Sequence, residues 1–341
     1  MIILGIETSC DETAAALIKD GKFILSNIVA SSSQIHAEVG GIIPEEAARQ
    51  QLLSIMPVVN QALFLGLDWK PNSQPPPIDA IAVTAGGPGL IGSMLVGVEV
   101  AKTLASIWEV PIIPVTHLLA HVYANWLTGK PYPEFPAVVL TVAGGHTDLF
   151  LMKGHGKFKW LGGTRDDAAG EAFDKAARLL DLPYPGGPSI QGAAEGGNSK
   201  KIPLPRPLIN SKDFDFSFSG LKTAIQREIK NNKSINKKDF AASVQEAVAD
   251  VLTSKTLKAA DKYNVKSVLI AGGVAANLRL RELINEKADM PVFIPPVKLC
   301  TDNATFIGSH AYFNYHPMSW SEIVAIPDAF EAIKVYGNHK N

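Results

Sequence analysis

Short apolar runs ending in polar turns alternate along this chain with longer stretches in which apolar positions recur at helical spacing, a pattern that predicts an α/β protein. Residues 2–6 form an apolar run that stops at the polar turn Glu7-Thr8-Ser9-Cys10-Asp11-Glu12-Thr13. Residues 14–18 resume it, Lys19-Asp20-Gly21-Lys22 turns, and residues 23–28 continue, which predicts strand, loop, strand, tight turn, strand. Residues 138–142 open the same series again, through Ala143-Gly144-Gly145-His146-Thr147-Asp148 to 149–152, a turn at Gly154-His155-Gly156, and 158–161. Gly-Lys-Phe follows the second turn both times, at 21–23 and 156–158, so the units repeat at about 135 residues. Two related α/β halves follow, with a cleft between them of the kind that usually binds ligands. A further strand is expected at 267–270, ending in Ala271-Gly272-Gly273-Val274-Ala275-Ala276-Asn277. Helices are expected over 44–67, 91–108, 117–128, 167–182, 219–231, 239–263, 277–287 and 303–316, the last stopped by Pro317. The Pro-rich pieces 70–77 and 203–207 are expected as surface loops.

Length and charge refine this picture. The 341 residues suffice for about two domains. A net charge of −1 excludes a global basic field, but charge is unevenly spread. Residues 1–100 carry ten acidic and four basic side chains, whereas 200–239 carry ten basic and four acidic. The basic stretch suits an anionic partner or a plain solvated surface, and the residues alone leave both open. Cys10 and Cys300 lie far apart, so no disulfide framework is expected and a reducing compartment fits. No signal-like segment follows Met1, and the apolar run at 90–107 is interrupted by Gly92, Ser93, Gly97, Glu99 and Lys102. That run is expected as a buried helix rather than a membrane span, in a soluble, cytoplasmic protein.

Four constellations carry candidate chemistry. His117 and His121 are four apart, on one face of a helix, where both imidazoles reach one metal ion; Asp302, in Cys300-Thr-Asp302-Asn303, offers a third, oxygen ligand. A zincin helix needs Glu directly after its first His as general base, and Leu118 stands there, which disfavours a metallopeptidase. Gly144-Gly145, Gly186-Gly187 and Gly272-Gly273 adjoin apolar runs, where glycine lets backbone N–H groups approach a phosphate. None is a Walker A loop or a GxGxxG fingerprint. On a helix, Asp167, Glu171 and Asp174 share a face, at some cost in like-charge repulsion; ligand contacts or a dipole-matched first turn account for such a row. Ser217 and Ser219, in Asp215-Phe-Ser-Phe-Ser-Gly-Leu-Lys222, precede a helix that Ser219 is expected to cap, and no His partner is evident to make Ser217 a nucleophile.

Ten runs, in order and over nearly the whole chain, resemble the universal tRNA threonylcarbamoyltransferase family in its bacterial form. They are Gly5-Ile-Glu-Thr-Ser-Cys-Asp-Glu-Thr13, His36-Ala-Glu-Val-Gly-Gly-Ile-Ile-Pro-Glu45, Gly87-Pro-Gly-Leu-Ile-Gly92, His117-Leu-Leu-Ala-His121, Gly144-Gly-His-Thr147, the stretch 166–175, Tyr184-Pro-Gly-Gly-Pro188, the stretch 215–222, the stretch 272–277 and Cys300-Thr-Asp-Asn303. The family lies within the actin/Hsp70/sugar-kinase superfamily. The resemblance implies two duplicated ribonuclease-H-like (actin/Hsp70-like ATPase) domains with a central cleft. Residues 1–115 would form the first, completed by a C-terminal helix near 303–341. Residues 116–302 would form the second and carry the metal and nucleotide sites.

It also implies transfer of a threonylcarbamoyl group from threonylcarbamoyl-AMP to the exocyclic amine of the adenosine 3′ of the anticodon, in tRNAs reading codons that begin with A. One iron (Fe2+) or zinc ion per subunit would sit at His117, His121 and Asp302. Substrate would be met at Thr141, Val142, Ala143, Gly144, Gly145, Asp174, Gly187 and Asn277. An inactive paralogous subunit and a small ATPase are the implied partners. The chain departs from the family pattern at the extra glycine in Ala85-Gly86-Gly87-Pro88, at Gln51 where His is common, and at Gln191 where an acidic residue is frequent. Three other classes stay in view. An ATP-dependent small-molecule kinase would not need the histidines, a metallopeptidase lacks its glutamate, and a non-catalytic subunit would not need an intact His117, His121 and Asp302 set.

Overall fold

The computed structural model describes residues 1–33, 35–36, 42–71, 74–231 and 236–318. Residues 37–41 of the second family run, and the expected C-terminal helix beyond 318, lie outside the described residues.

Ten strands form two five-stranded sheets. The first holds β1 (Ile2–Glu7), β2 (Glu12–Lys19), β3 (Phe23–Ser31), β4 (Ala80–Gly86) and β5 (Ile112–Thr116), in the order β3-β2-β1-β4-β5. The second holds β6 (Ala137–Val142), β7 (Thr147–Gly154), β8 (Lys157–Gly163), β9 (Ser267–Ala271) and β10 (Val292–Phe293), in the order β8-β7-β6-β9-β10. The two orders are the same. In each sheet the first three strands run antiparallel through hairpins and the last two join in parallel. The repeat read from Gly-Lys-Phe is thus a repeat of topology, and the chain is an α/β protein of two duplicated domains.

The chain divides into two compact units, Met1–Tyr132 with the segment from Thr301 onward, and Pro133–Cys300. The sequence-based boundaries fell elsewhere, at 115/116 and 302/303. The structure keeps 117–132 in the first unit because the helical segment after His117 packs on the helix Thr305–Phe313, which itself packs on β1 and β2. His117, His121 and Asp302 accordingly belong to the first unit, not to the one that carries the glycine loops.

In the first unit, the period-2 pattern of strands buried on both faces places Leu4, Ile6, Ala15 and Leu17 on one side. There they meet Ile55, Val58, Val59, Ala62 and Leu63 of the helix Pro44–Leu67, and Val98, Ala101, Leu104 and Ala105 of the helix Ile91–Trp108. Ala14, Ala16 and Ile18 face the other side, with Ala304. Both helices are long and apolar enough to cross a membrane by length and composition, but each packs one face on this sheet. In the second unit the 27-residue helix Lys237–Tyr263 is buried along most of its length, with Phe240, Val244, Val248, Val251 and Leu252 in the core beneath β6 and β9.

Several expected helix limits shift. The stretch 117–128 is an α-turn, His117–Ala120, followed by a 3-10 turn, His121–Trp126. The helix expected from 167 begins at Ala169, where Ala168 is the N-cap and the Glu171 side chain returns to the Ala168 N–H. Asp167 therefore precedes the helix and pairs with Lys175, and the like-charge row of the sequence is not a row on one face. Ser219 is the first helical residue rather than the cap, and its hydroxyl donates to Asp166.

Candidate metal centre and glycine cradle

Parallel strands β1, β4 and β5 of the first unit end side by side, and carboxyl ends of parallel strands are where α/β folds place ligand groups. Glu7 closes β1, Thr84 lies near the end of β4, and β5 runs from Thr116 directly into His117. The second glycine of the unusual Gly86-Gly87 pair takes φ +94°, a conformation that disfavours any side chain, and lies against the His117 backbone nitrogen. One helical turn on, His121 brings its Nε2 to 3.1 Å from His117 Nε2. Asp302 Oδ1 lies 3.1 Å from His121 Nε2 and 3.6 Å from His117 Nε2. The three ligand atoms fall within 4.8 Å of one another, and theirs is the metal-type cluster found among the described residues. Phe306 walls the site, its ring centroid 4.2 Å from that of His121.

Behind the clamp lies a second set of contacts. His117 Nδ1 is 2.9 Å from Glu7 Oε2 and 3.2 Å from Ser9 Oγ. Glu7 also accepts from Thr84 Oγ1 at 2.6 Å and from the Ser9 N–H at 2.5 Å. The Thr8–Glu12 backbone is held in turn by Gln51, whose Nε2 points at the carbonyls of Thr8, Cys10 and Glu12 at 3.2, 2.7 and 3.3 Å. Gln51 is buried, and its amide anchors the loop.

Burial and charge oppose each other here. Burial works against a charged His117, yet the Glu7 and Asp302 charges raise it to about 9. Burial lowers His121, and the His117 charge adds to that. Burial raises the carboxyls of Glu7 and Asp302, but the histidines outweigh it, leaving Glu7 below its ordinary value and Asp302 at about 2. Glu12 is pushed up to about 9, by burial first and then by Asp11 and Asp302. Two imidazole nitrogens and a carboxylate oxygen converging in a buried site, with the far nitrogen of His117 already engaged, match a transition-metal donor set with open positions.

The second unit holds the other expected residues. Thr141 and Val142 are buried at the end of β6, paired with β7 and, at Thr141, with β9 as well. Ala143 through His146 turn tightly, the Ala143 N–H donating to the His146 carbonyl, and Gly144 and Gly145 are exposed. A Cβ built on Gly144, Gly145, Gly187 or Gly273 meets nothing within 4 Å, so packing among the described residues does not require glycine there. By contrast, a Cβ on Gly170 would meet Ala143 O at 2.6 Å, and one on Gly186 would collide with the Asp174 backbone. Asp174 Oδ1 accepts from the Gly186 N–H at 2.7 Å, and burial raises its pKa. Gln191 accepts from Leu278 N at 2.8 Å. Asn277 caps the helix Leu278–Lys287, accepting from Leu280 N at 3.1 Å, while its Nδ2 donates to Gln245. Asp174 thus touches Gly186, Gln191 holds the residue after Asn277, and the Gly144 carbonyl accepts from Glu171 N on the helix that carries Asp174, all within one unit. Ser217 donates to Asp166 at 2.6 Å.

The sequence alone gives Glu7 and Thr84 no part in the site and marks Gln51 only as a departure from the family pattern. A signal was present: an acid at the end of an otherwise apolar strand, and a threonine inside another.

Two sheets of one order and a buried two-histidine, one-carboxylate clamp define the class: a duplicated α/β protein of the actin/Hsp70-like ATPase fold with a candidate metal site. The model of the TsaD family, tRNA N6-adenosine threonylcarbamoyltransferase, matches residues 23–309. A curated relative of that name from Dehalococcoides mccartyi (strain CBDB1) is 54% identical over 318 residues, covering 92% of this chain and 94% of its own length. Relatives of the same name from Thermomicrobium roseum and Moorella thermoacetica are 51% and 48% identical, covering 92% and 96% of both chains. The chain belongs to the tRNA N6-adenosine threonylcarbamoyltransferase family, and its activity is that transfer; the kinase alternative is not favoured. Among solved structures, HypF of T. kodakarensis superposes with a TM-score of 0.60 at 14% identity, over 92% of this chain and 47% of that one. The (R)-2-hydroxyglutaryl-CoA dehydratase component A of Acidaminococcus fermentans gives 0.51 at 17%, over 95% and 99%. These two show the fold alone.

Proposed function

We propose that this chain moves a threonylcarbamoyl group from threonylcarbamoyl-AMP to the exocyclic amine of the adenosine 3′ of the anticodon, in tRNAs reading codons that begin with A. AMP leaves, and one iron or zinc ion is held by His117, His121 and Asp302. The carrying observation is the convergence of three ligand atoms within 4.8 Å. When bound, such an ion polarises a carbonyl or phosphate oxygen. The chain's own part is to place and orient. The Gly144 and Gly145 backbone, free of side chains and exposed, supports contact with phosphate or carbonyl oxygens, and Thr141, Val142 and Ala143 lead into it. Asp174, Gly187 and Asn277 complete the proposed substrate contacts. AMP is a good leaving group, so no covalent enzyme intermediate is needed.

Exposed Lys200, Lys201, Arg227, Lys230, Lys237 and Lys238 supply cations for tRNA phosphates. On the helix Pro44–Leu67, Leu52, Leu53, Met56, Phe64 and Leu65 are exposed, an apolar face that a protein partner would cover. That face supports the inactive paralogous subunit as partner, with a small ATPase in the same assembly, in the cytoplasm.

The test is modification of unmodified tRNA by the purified protein with its partner subunits, a synthase of the intermediate, threonine, bicarbonate and ATP. Nucleoside mass spectrometry should show threonylcarbamoyladenosine, and its absence from the complete mixture sinks the reading. Metal analysis of the native protein should find about one transition-metal ion per chain.

A further inference from the structure

Glu7 is the one fully buried carboxylate among the described residues, and the transfer described above gives it no task. We propose that Glu7 is a positioning residue for the metal: it keeps a proton on His117 Nδ1, so that His117 Nε2 presents its lone pair to the ion. The inference rests on the metal reading of His117, His121 and Asp302.

An ionised carboxylate only accepts hydrogen bonds. Glu7 Oε1 takes the Ser9 N–H, and Oε2 takes the Thr84 hydroxyl and faces His117 Nδ1 at 2.9 Å. The imidazole atom in that place must carry a proton. A neutral imidazole with its proton on Nδ1 has a bare Nε2, the atom that lies among His121 Nε2 and Asp302 Oδ1. Ser9 Oγ also touches Nδ1, at 3.2 Å, but a hydroxyl donates or accepts equally and fixes no tautomer. The clamp is therefore asymmetric. His121 Nδ1 is buried with no hydrogen-bond partner among the described residues, so His121 has no such setting group. Carboxylate–histidine pairs of this form orient metal ligands and raise their basicity.

Glutamine at position 7 keeps the shape but offers one acceptor oxygen where Glu7 offers two. Turned one way, its NH2 meets the Ser9 N–H, donor against donor. Turned the other, it donates to His117 Nδ1, which moves the proton to Nε2 and blocks the ligand atom.

The test is Zn2+ binding to chelator-stripped protein, read by competition with a chromophoric chelator. Glu7→Gln should bind Zn2+ about 10–100-fold more weakly than wild type. Affinity within about threefold of wild type overturns the proposal. Wild-type protein that binds no Zn2+ overturns the metal reading as well, so the two failures are told apart. A readout on wild-type protein covers a Glu7→Gln chain that does not fold. With 15N-labelled histidine and Zn2+ bound, long-range nitrogen–proton NMR correlations should place the His117 proton on Nδ1; a proton on Nε2 overturns the proposal.

Discussion

The loops that close the first hairpin of each sheet hold equivalent places yet do opposite things. Between Glu7 and Ala14 the register leaves six positions, and between Val142 and Thr147 it leaves four. The longer loop is tied down from inside by Gln51, and the carboxylate at its start touches His117 of the candidate metal clamp. The shorter loop has two exposed glycines at its centre, with open space where side chains would be. One fold, used twice, supplies the same location at the carboxyl ends of its strands. The residues set there decide whether the chemistry comes from side chains or from backbone.

The comparison can be broken most severely at the side-chain loop's partner. His117→Ala should lose both metal and transfer activity, by elemental analysis and the tRNA assay; full activity in a metal-free variant refutes the role. At the backbone loop, Gly145→Val should lower kcat/KM for threonylcarbamoyl-AMP by about 100-fold, because misplacing a reacting group by 1 Å costs about that much in rate. Its melting temperature should stay close to wild type, since the new side chain meets open space. Gly186→Ala, where a Cβ collides with Asp174, should instead destabilise by about 1–3 kcal/mol in denaturant titrations.

Acidity separates the loops next. In metal-free protein His117 is raised from 6.5 to about 9, against burial, by Glu7 and Asp302. A group raised by folding stabilises while protonated, so its contribution is whole below pH 6.5 and is lost as pH climbs through 9. Glu12, raised by burial from 4.5 to about 9, works in the same direction. Asp302 works at the other end: its contribution is present above 3.8 and is lost as pH falls through about 2. Metal-free protein should therefore lose stability from pH 4.5 upward through Glu12 and more steeply between 6.5 and 9 through His117, a few kcal/mol in all by thermal melts across pH, and Zn2+ should flatten the upper slope. A flat profile without metal contradicts the charge arrangement.

Smaller effects should follow at the supports. Gln51→Ala removes the donor to three carbonyls and should cost about 1–3 kcal/mol, with weaker metal binding as the Thr8–Glu12 loop loosens. Lys175→Ala, at the partly exposed pair with Asp167 beside the glycine loop, should cost under about 1 kcal/mol.

Much of this was legible in order along the chain. Alternating apolar runs mark the hairpins, helical spacing marks 44–67, 91–108 and 219–231 to the residue, and the pair His117 and His121 announces itself by its i,i+4 spacing. What stayed hidden depends on neighbours remote in sequence. Glu7 reaches Thr84 across 77 positions and His117 across 110, contacts that exist only because β1 and β5 flank β4. Gln51 resembles any polar residue of an amphipathic helix until its helix is laid on the β1–β2 loop. Asp167 stands before its helix rather than in it, and Ser219 opens its helix rather than capping it, because Asp166 and Glu171 capture the nearby N–H and hydroxyl groups.

The metal clamp joins residues 117 and 121 to residue 302, with the whole of the second unit threaded between them. Pro133–Cys300 is one continuous stretch, so a ribosome delivers that unit complete before it has delivered the first. The first unit waits, its β1 and β2 lacking the helix Thr305–Phe313 and its histidines lacking Asp302, until the residues after Cys300 have been made. A prematurely terminated product would therefore carry an intact glycine cradle and an unfinished metal clamp.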